Sequence, residues 1–149
     1  MRYIFLASFA IFAVWNAPTI WGTVSAIPGH RTEAAVREAW ERDPARGEEL
    51  ARTASLACLG KRFGMPSPFI TSLHADTNAA VVRGIVERRP EDAAGDVEQR
   101  ITEALREVGG MAKAELDAFT RYASLIEKEA TPLLECTMDD LRDRLSRDA

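Results

Sequence analysis

Apolar residues recur along most of this chain at the three- and four-residue spacing of helices. From residue 27 onward, glycine, proline, asparagine and aspartate interrupt these patterns, and no run of alternating β-branched residues indicates a strand. The pattern predicts an all-α fold, a single small bundle of five or six helices in residues 27–149. Residues 1–26 have a different pattern and are expected to form a separate N-terminal signal or anchor segment.

Polar residues followed by proline mark three predicted helix starts, because a side chain can cap the first turn and proline fits its first position. They are Asp43-Pro44, Ser67-Pro68 and Thr131-Pro132. A further start is predicted at Thr32, which would cap a first helix over residues 33–42. The second helix is predicted to run from residue 44 to about residue 62, where Gly60 and Gly64 favour its end.

The stretch between Ser67 and Pro90 allows two interpretations. Either one long helix runs over residues 68–89, or two short helices meet near Asp76, which would cap the second one. Pro90 is expected to end this unit. The polar and small residues 91–95 are then expected to form a linker within the domain.

Residues 96–130 carry the most regular apolar stripe of the chain, and the stripe keeps its helical phase across Gly109-Gly110. We predict a helix break at that pair, because adjacent glycines stop helices more often than they continue them. Trp40 is predicted to dock the short first helix against this stripe.

The last helix is predicted to begin at Thr131-Pro132. Asp140 and Arg144 have the i,i+4 spacing of an ion pair on its surface. Its apolar residues follow a three- and four-residue spacing and are Leu134, Met138, Leu141 and Leu145.

The N-terminal segment is almost free of charge. Only Arg2 is charged within the first 30 residues, and residues 3–15 are nearly all apolar. A basic start, an apolar core of about 7–15 residues and small residues behind it are typical of a secretory signal peptide. Val24 and Ala26 are small residues of the kind that a signal peptidase recognises, so cleavage would make Ile27 the first residue of the mature protein.

The same segment is long enough for a retained transmembrane anchor, which needs about 20 largely apolar residues. Asn16 and Pro18 interrupt its apolar run, whereas Trp15 and Trp21 suit interfacial aromatic positions. Both interpretations place the helical domain outside the cytoplasm. It would be periplasmic or secreted after cleavage, or anchored in the inner membrane and facing the periplasm.

Length and charge limit the function of the exported part. Removing 26 of 149 residues leaves 123, enough for one core, and 18 basic against 23 acidic residues give a formal net charge of −5. This balance argues against nucleic-acid binding and gives no attraction to an anionic membrane. A membrane is therefore expected as a partner only if residues 3–26 are retained. The excess of arginine over lysine and the abundance of alanine are typical of a GC-rich bacterial gene.

The chain has two cysteines, Cys58 and Cys136, and both lie in the part that is expected to be exported. In an oxidising compartment two cysteines usually form a disulfide. We predict that this disulfide ties the second helix to the last one. The spacing gives neither a redox pair of the C-x-x-C type nor a haem-attachment motif.

The candidate catalytic residues are few. Ser72, His74 and Asp76 bring a hydroxyl, an imidazole and a carboxylate within five residues. On a helix, however, residues i and i+2 point about 200° apart, so these side chains cannot converge by themselves. His74 and Asp76 are therefore weak candidates for a catalytic pair, and a capping or loop-fixing role is the alternative. No metal-ligand spacing and no phosphate-binding loop is present, so no cofactor is expected.

Three function hypotheses follow. The first is a small exported helical protein that binds a partner protein in the cell envelope. The second is a membrane-tethered helical scaffold or adaptor that uses the stripe of residues 96–130 and requires a retained leader. The third is a small envelope hydrolase that uses His74 with Asp76. The sequence favours the first, because it combines one small domain with no catalytic constellation and much helix surface.

Overall fold

A computed structural model describes residues 30–64 and 66–148 of the chain, with side chains from residue 34 onward. These residues form five helices and no strand, which confirms the predicted all-α bundle. The helices are α1 (His30–Arg42), α2 (Pro44–Phe63), α3 (Pro68–Val86), α4 (Pro90–Val108) and α5 (Lys113–Asp148). The predicted signal or anchor segment lies outside the described residues.

Two of the three predicted cap-and-proline starts are confirmed. The Asp43 side chain accepts a hydrogen bond from the backbone N–H of Arg46 at the start of α2, and the Ser67 side chain accepts one from Ile70 at the start of α3. The cap predicted at Thr32 is wrong, because α1 already begins at His30.

The interpretation of Pro90 as the end of a unit followed by a linker is wrong. The third helix is continuous and ends at Val86, and Pro90 is the first residue of α4. Residues 91–95 form its first turns. Glu91 and Asp92 lie where the helix dipole favours negative charge, so this polar stretch is a helix start.

The break predicted at Gly109-Gly110 is confirmed, since α4 ends at Val108 with Gly109 as its C-cap. The boundary predicted at Thr131-Pro132 is displaced. The backbone of α5 leaves helical geometry at Glu129, two residues earlier, and the helix continues beyond this kink. The kink divides α5 into an N-terminal half, residues 113–128, and a C-terminal half, residues 130–148.

The helices pack side by side and antiparallel in the order α4, α3, α2, α5, and α1 packs across the last three. Side-chain contacts show that paired helices are antiparallel, because the residue numbers rise along one helix while those of the contacting residues fall along the other. Along α2 and α5 these contacts are Arg46 to Asp148, Cys58 to Cys136 and Arg62 to Glu129. Along α3 and α4 they are Arg83 to Asp96 and Asp76 to Arg100.

The core consists of two apolar clusters. One contains Trp40 and Leu50 with residues of α3 and of the C-terminal half of α5, and the other contains Leu59 and Ile70 with residues of α4 and of the N-terminal half of α5. Trp40 is only 2% exposed, as expected for a docking residue. The partner predicted for it is wrong, because its cluster contains Leu134 and Leu141 and no residue of the 96–130 stripe. The reason is geometric: α4 lies at the far edge of the bundle from α1.

Three polar side chains form a hydrogen-bonded layer in the core: Ser55 of α2 and Thr137 of α5 are buried, and Asn78 of α3 is half-buried. Asn78 donates hydrogen bonds from Nδ2 to Ser55 Oγ (3.1 Å) and to Thr137 Oγ1 (2.9 Å), and so joins α3 to α2 and α5. Both hydroxyl groups in turn donate to carbonyls of their own helices. Each of these buried polar groups therefore has a partner, as a polar core layer requires.

The Cys58–Cys136 disulfide joins α2 to the C-terminal half of α5, as predicted, with 6.0 Å between the two Cα atoms. Cys58 is fully buried, whereas Cys136 is half-buried. The difference agrees with the sequence, in which Cys136 lies off the centre of its helix's apolar stripe.

Candidate functional site: a charged groove beside an acidic helix

An open groove with a volume of about 200 Å³ runs between α2, α3 and α4. Its walls are charged rather than apolar, with three arginines from three different helices. The lining charged residues are Glu48, Arg52, Asp76, Arg83, Asp96, Arg100 and Glu103. We call this feature the charged groove.

Asp76 is held by two guanidinium groups at the centre of the charged groove. Arg52 of α2 donates to Oδ1, and Arg100 of α4 donates from Nε to Oδ2 at 2.8 Å. Ser72 lies one turn before Asp76 and at 3.5 Å contributes a weak contact to Oδ2. The carboxylate of Asp76 thus links the three helices at one point.

A third arginine, Arg83, continues this network by pairing with two further carboxylates. Arg83 of α3 reaches Glu48 of α2 at 3.4 Å and also pairs with Asp96 of α4. Glu48 lies 3.6 Å from Arg52, which connects it to the Asp76 cluster. Arg83 lies in the last turn of α3, and its side chain lines the groove.

The network changes the pKa of Asp76. Partial burial raises this pKa, but the hydrogen bonds and positive charges of Arg52 and Arg100 outweigh that effect and leave it below its ordinary value. Asp76 is therefore a carboxylate at neutral pH, committed to two arginines. Its lowered pKa and its two ion pairs make it a poor general base.

Helix α4 carries an excess of acid on its outer surface. Its six carboxylates, all exposed, exceed its two arginines by four charges, which equals the formal net charge of −4 of the whole chain. We call these residues the acidic face of α4. They are Glu91, Asp92, Asp96, Glu98, Glu103 and Glu107.

Most of this acidic face has no cationic partner among the described residues. Asp96 pairs with Arg83, and Asp92 lies 4.0 Å from the exposed Arg89. Glu103 accepts a hydrogen bond only from the amide of Gln99, at 3.3 Å. Because α4 packs extensively on α3 alone, this face is open to solvent along its length.

His74 lies in a different environment from Asp76. It is 2% exposed, and its Nδ1 lies 2.9 Å from the hydroxyl oxygen of Tyr122, at hydrogen-bond distance. Burial lowers the pKa of His74 to about 4, and the backbone carbonyl of Ser55 opposes that shift. That carbonyl does not reach hydrogen-bond geometry, so His74 Nε2 is buried without a partner.

The structure therefore does not bring His74 and Asp76 together as a catalytic pair. Asp76 lines the charged groove, whereas His74 faces the core beside Tyr122. Helix geometry predicts this divergence for two residues at i and i+2. Among the described residues, no group of three acidic, histidine or cysteine side chains has a geometry that could hold a metal ion.

Sequence reasoning missed the partners of Asp76. Arg52 and Arg100 each lie 24 residues from it along the chain, so no local spacing relates the three. The only signal available was the helical phase. Arg52 and Arg100 lie on the two helices that flank α3.

No helix in the described part of the chain has the length and apolar character needed to span a membrane. Comparison of the chain with protein-family models, with curated proteins and with solved structures found no match.

Proposed function

We propose that this chain is a small exported helical protein that binds a protein partner in the cell envelope, through a basic segment of the partner that lies along the acidic face of α4. The observation that carries the proposal is the charge distribution, since α4 has a formal net charge of −4, more negative than that of any other described helix. Complementary charge speeds association and selects partners of opposite sign.

Export is part of the same proposal. The signal-like N-terminal segment supports it, and so does the disulfide between the only two cysteines, because structural disulfides persist in oxidising compartments. The hydrolase hypothesis gains no support from the site, since His74 is buried and Asp76 is committed to two arginines.

The charged groove borders the acidic face of α4 and would form one side of the partner's binding surface. Its arginines already pair with carboxylates, whereas Glu103 at its rim has only an amide partner. A lysine or arginine of the partner would gain an ion pair at Glu103 and along the acidic face without displacing an internal one. We expect the resulting affinity to fall as salt concentration rises.

Site-specific cross-linking in cells tests the proposal. A photo-reactive residue at Gln99, exposed on α4, should capture the partner, whereas the same residue at Glu135, exposed on α5, should not. The adduct at position 99 should disappear when four carboxylates of the acidic face are neutralised by the substitutions E91Q, E98Q, E103Q and E107Q.

A matched variant controls for the loss of four charges. The substitutions E38Q, E41Q, E127Q and E135Q remove four other exposed carboxylates, none of them on α4. This variant should keep the adduct at position 99. An adduct that survives neutralisation of the acidic face, or that is lost equally in both variants, would contradict the proposed docking surface.

A further inference from the structure

The N-terminal half of α5 is held to the rest of the bundle mainly by apolar and aromatic contacts. It begins after the glycine-containing turn at residues 109–112 and ends at the non-helical Glu129. The disulfide and the Arg62–Glu129 ion pair (2.9 Å) hold α5 at and beyond the kink but not before it. The N-terminal half is held by apolar packing, chiefly through Phe119 and Tyr122, and by the contact between Tyr122 and His74.

His74 is the weak point of that contact. When neutral, its ring needs only the Tyr122 hydroxyl at Nδ1 and leaves Nε2 without a partner. When protonated, it carries a charge and a second N–H donor, and the interior offers no carboxylate to receive either. A buried charge without a partner is costly, so the closed arrangement favours the neutral ring.

In the surroundings only the backbone carbonyl of Ser55 opposes this effect, and the pKa of His74 still falls to about 4. The titratable group that faces His74 is Tyr122 of α5, whose own pKa is raised by burial, with Thr77 of α3 opposing the rise. From α2 the backbone carbonyl of Ser55 faces the ring, and no charged group of α1, α2, α4 or α5 acts on its pKa. Asp76 lies on the groove side of α3 with its arginines.

We propose that His74 is an acid-operated latch: protonation of its ring breaks the contact with Tyr122 and releases residues 113–128 of α5, while the disulfide keeps the C-terminal half of α5 on α2. Opening would hydrate the imidazolium and expose the apolar residues that Phe119 and Tyr122 cover, among them Leu59 and Ile70. This device goes beyond the proposed partner binding and does not depend on it.

The latch makes a quantitative prediction. With a pKa of about 4 when closed and the ordinary value of 6.5 when open, the opening equilibrium should increase roughly 20-fold between pH 7 and pH 5. Hydrogen exchange read by mass spectrometry on peptides of the exported protein would measure this change. Protection should fall in residues 113–128 and persist in α2 and in the C-terminal half of α5.

Three variants make the experiment decisive. His74→Gln keeps a polar side chain that does not titrate, and it should remove most of the difference between pH 5 and pH 7. His30→Gln changes the only other histidine and should leave the wild-type response intact. Comparing variants at the same pH cancels the intrinsic pH dependence of exchange. His74→Phe serves the same purpose if the glutamine variant does not fold.

The contrary results are equally specific. An unchanged pH response in the non-titrating variants would overturn the latch, and so would a loss of protection that is uniform across all helices. The latch would also be overturned if residues 113–128 of the wild-type protein exchanged no faster at pH 5 than at pH 7, after correction for intrinsic exchange. Asp76→Asn should leave the response between pH 7 and pH 5 in place, because that carboxyl titrates at lower pH.

Discussion

The indole ring of Trp40 lies directly against the backbone at Gly47. A Cβ atom built at position 47 would come within 2.7 Å of Trp40 Cε3, closer than real carbon contacts allow, and the obstacle is a rigid buried ring. The absence of a side chain at Gly47 therefore allows α1 to pack this closely on α2. This relationship leads to the first prediction.

Gly47→Ala should destabilise the protein by about 1 kcal/mol or more, because overpacking outweighs the gain in helix propensity. Gly60→Ala in the same helix is the matched control. A Cβ at position 60 meets nothing within 4 Å, so that variant should be more stable by about 0.5–1 kcal/mol. Urea unfolding measures both, and equal effects of the two substitutions would contradict the close packing at Gly47.

Trp40→Ala should lower the free energy of unfolding by about 3–5 kcal/mol, because it empties a fully buried site between α1, α2 and α5. Trp40→Phe is the control: it retains a ring and loses the hydrogen bond from Nε1 to Glu87, at 3.3 Å, so its cost should be smaller. Chemical denaturation measures the difference. A loss below about 1 kcal/mol for the alanine variant would mean that α1 is peripheral.

Removal of the Cys58–Cys136 disulfide should cost about 4 kcal/mol in the chain-entropy model, given the sequence separation of 78 residues. A double serine variant and the reduced wild-type protein should show similar losses in denaturant titrations. Thiol counting under denaturing, non-reducing conditions provides the direct check. Two free thiols in protein recovered from the envelope would contradict the bridge and remove its support for the export hypothesis.

Acid should destabilise the bundle in two separate pH windows. Both folded-state pKa values are lowered, so each group contributes stability above its ordinary pKa and loses it as pH falls. For His74 the loss runs from pH 6.5 to about 4, whereas for Asp76 it begins only near its ordinary value of 3.8. Thermal melts across pH should show His74→Gln flattening the upper window and Asp76→Asn the lower one. Asp139→Asn, at a more exposed carboxylate, should change neither.

The mature N-terminus should be Ile27, because Val24 and Ala26 fit the small-residue positions of a signal peptidase site. Mass spectrometry of the exported protein measures this directly. Ala26→Arg should block cleavage and leave the leader attached. An intact Met1 N-terminus on wild-type protein in a membrane fraction would favour the anchor and, with it, the tethered-adaptor hypothesis.

Local patterns predicted the helices well, because the helical spacing of apolar residues, the N-cap residues and the glycine pair determine helices through interactions within a few residues. Pro90 shows the limit of such patterns. A proline can follow one helix or begin the next, and in this chain Pro90 begins α4, with residues 91–95 in its first turns. The partner of Trp40 was equally inaccessible, since its choice between the two ends of the bundle depends on helix order.

The charged groove was beyond prediction for a related reason. Asp76 contacts residues 24 positions before and 24 positions after it, and the two contacts together need two antiparallel helix pairings in the correct register. The failure of Ser72, His74 and Asp76 to form a triad could be predicted, because it follows from the geometry of a single helix.

The covalent link between α2 and α5 also determines how the protein would respond to a pulling force. When the chain is stretched from its two ends, the disulfide carries the force directly from Cys58 to Cys136. The chain between them, a sequence separation of 78 residues, then cannot extend. The stretched protein is therefore shorter by roughly 260–280 Å of contour length, at 3.3–3.6 Å per residue. Only the residues outside that loop can be drawn out, so α3 and α4 carry no tension, whereas the segment of α2 that contributes Glu48 and Arg52 to the charged groove does. In an optical trap, a reductant should restore the missing extension in a single step.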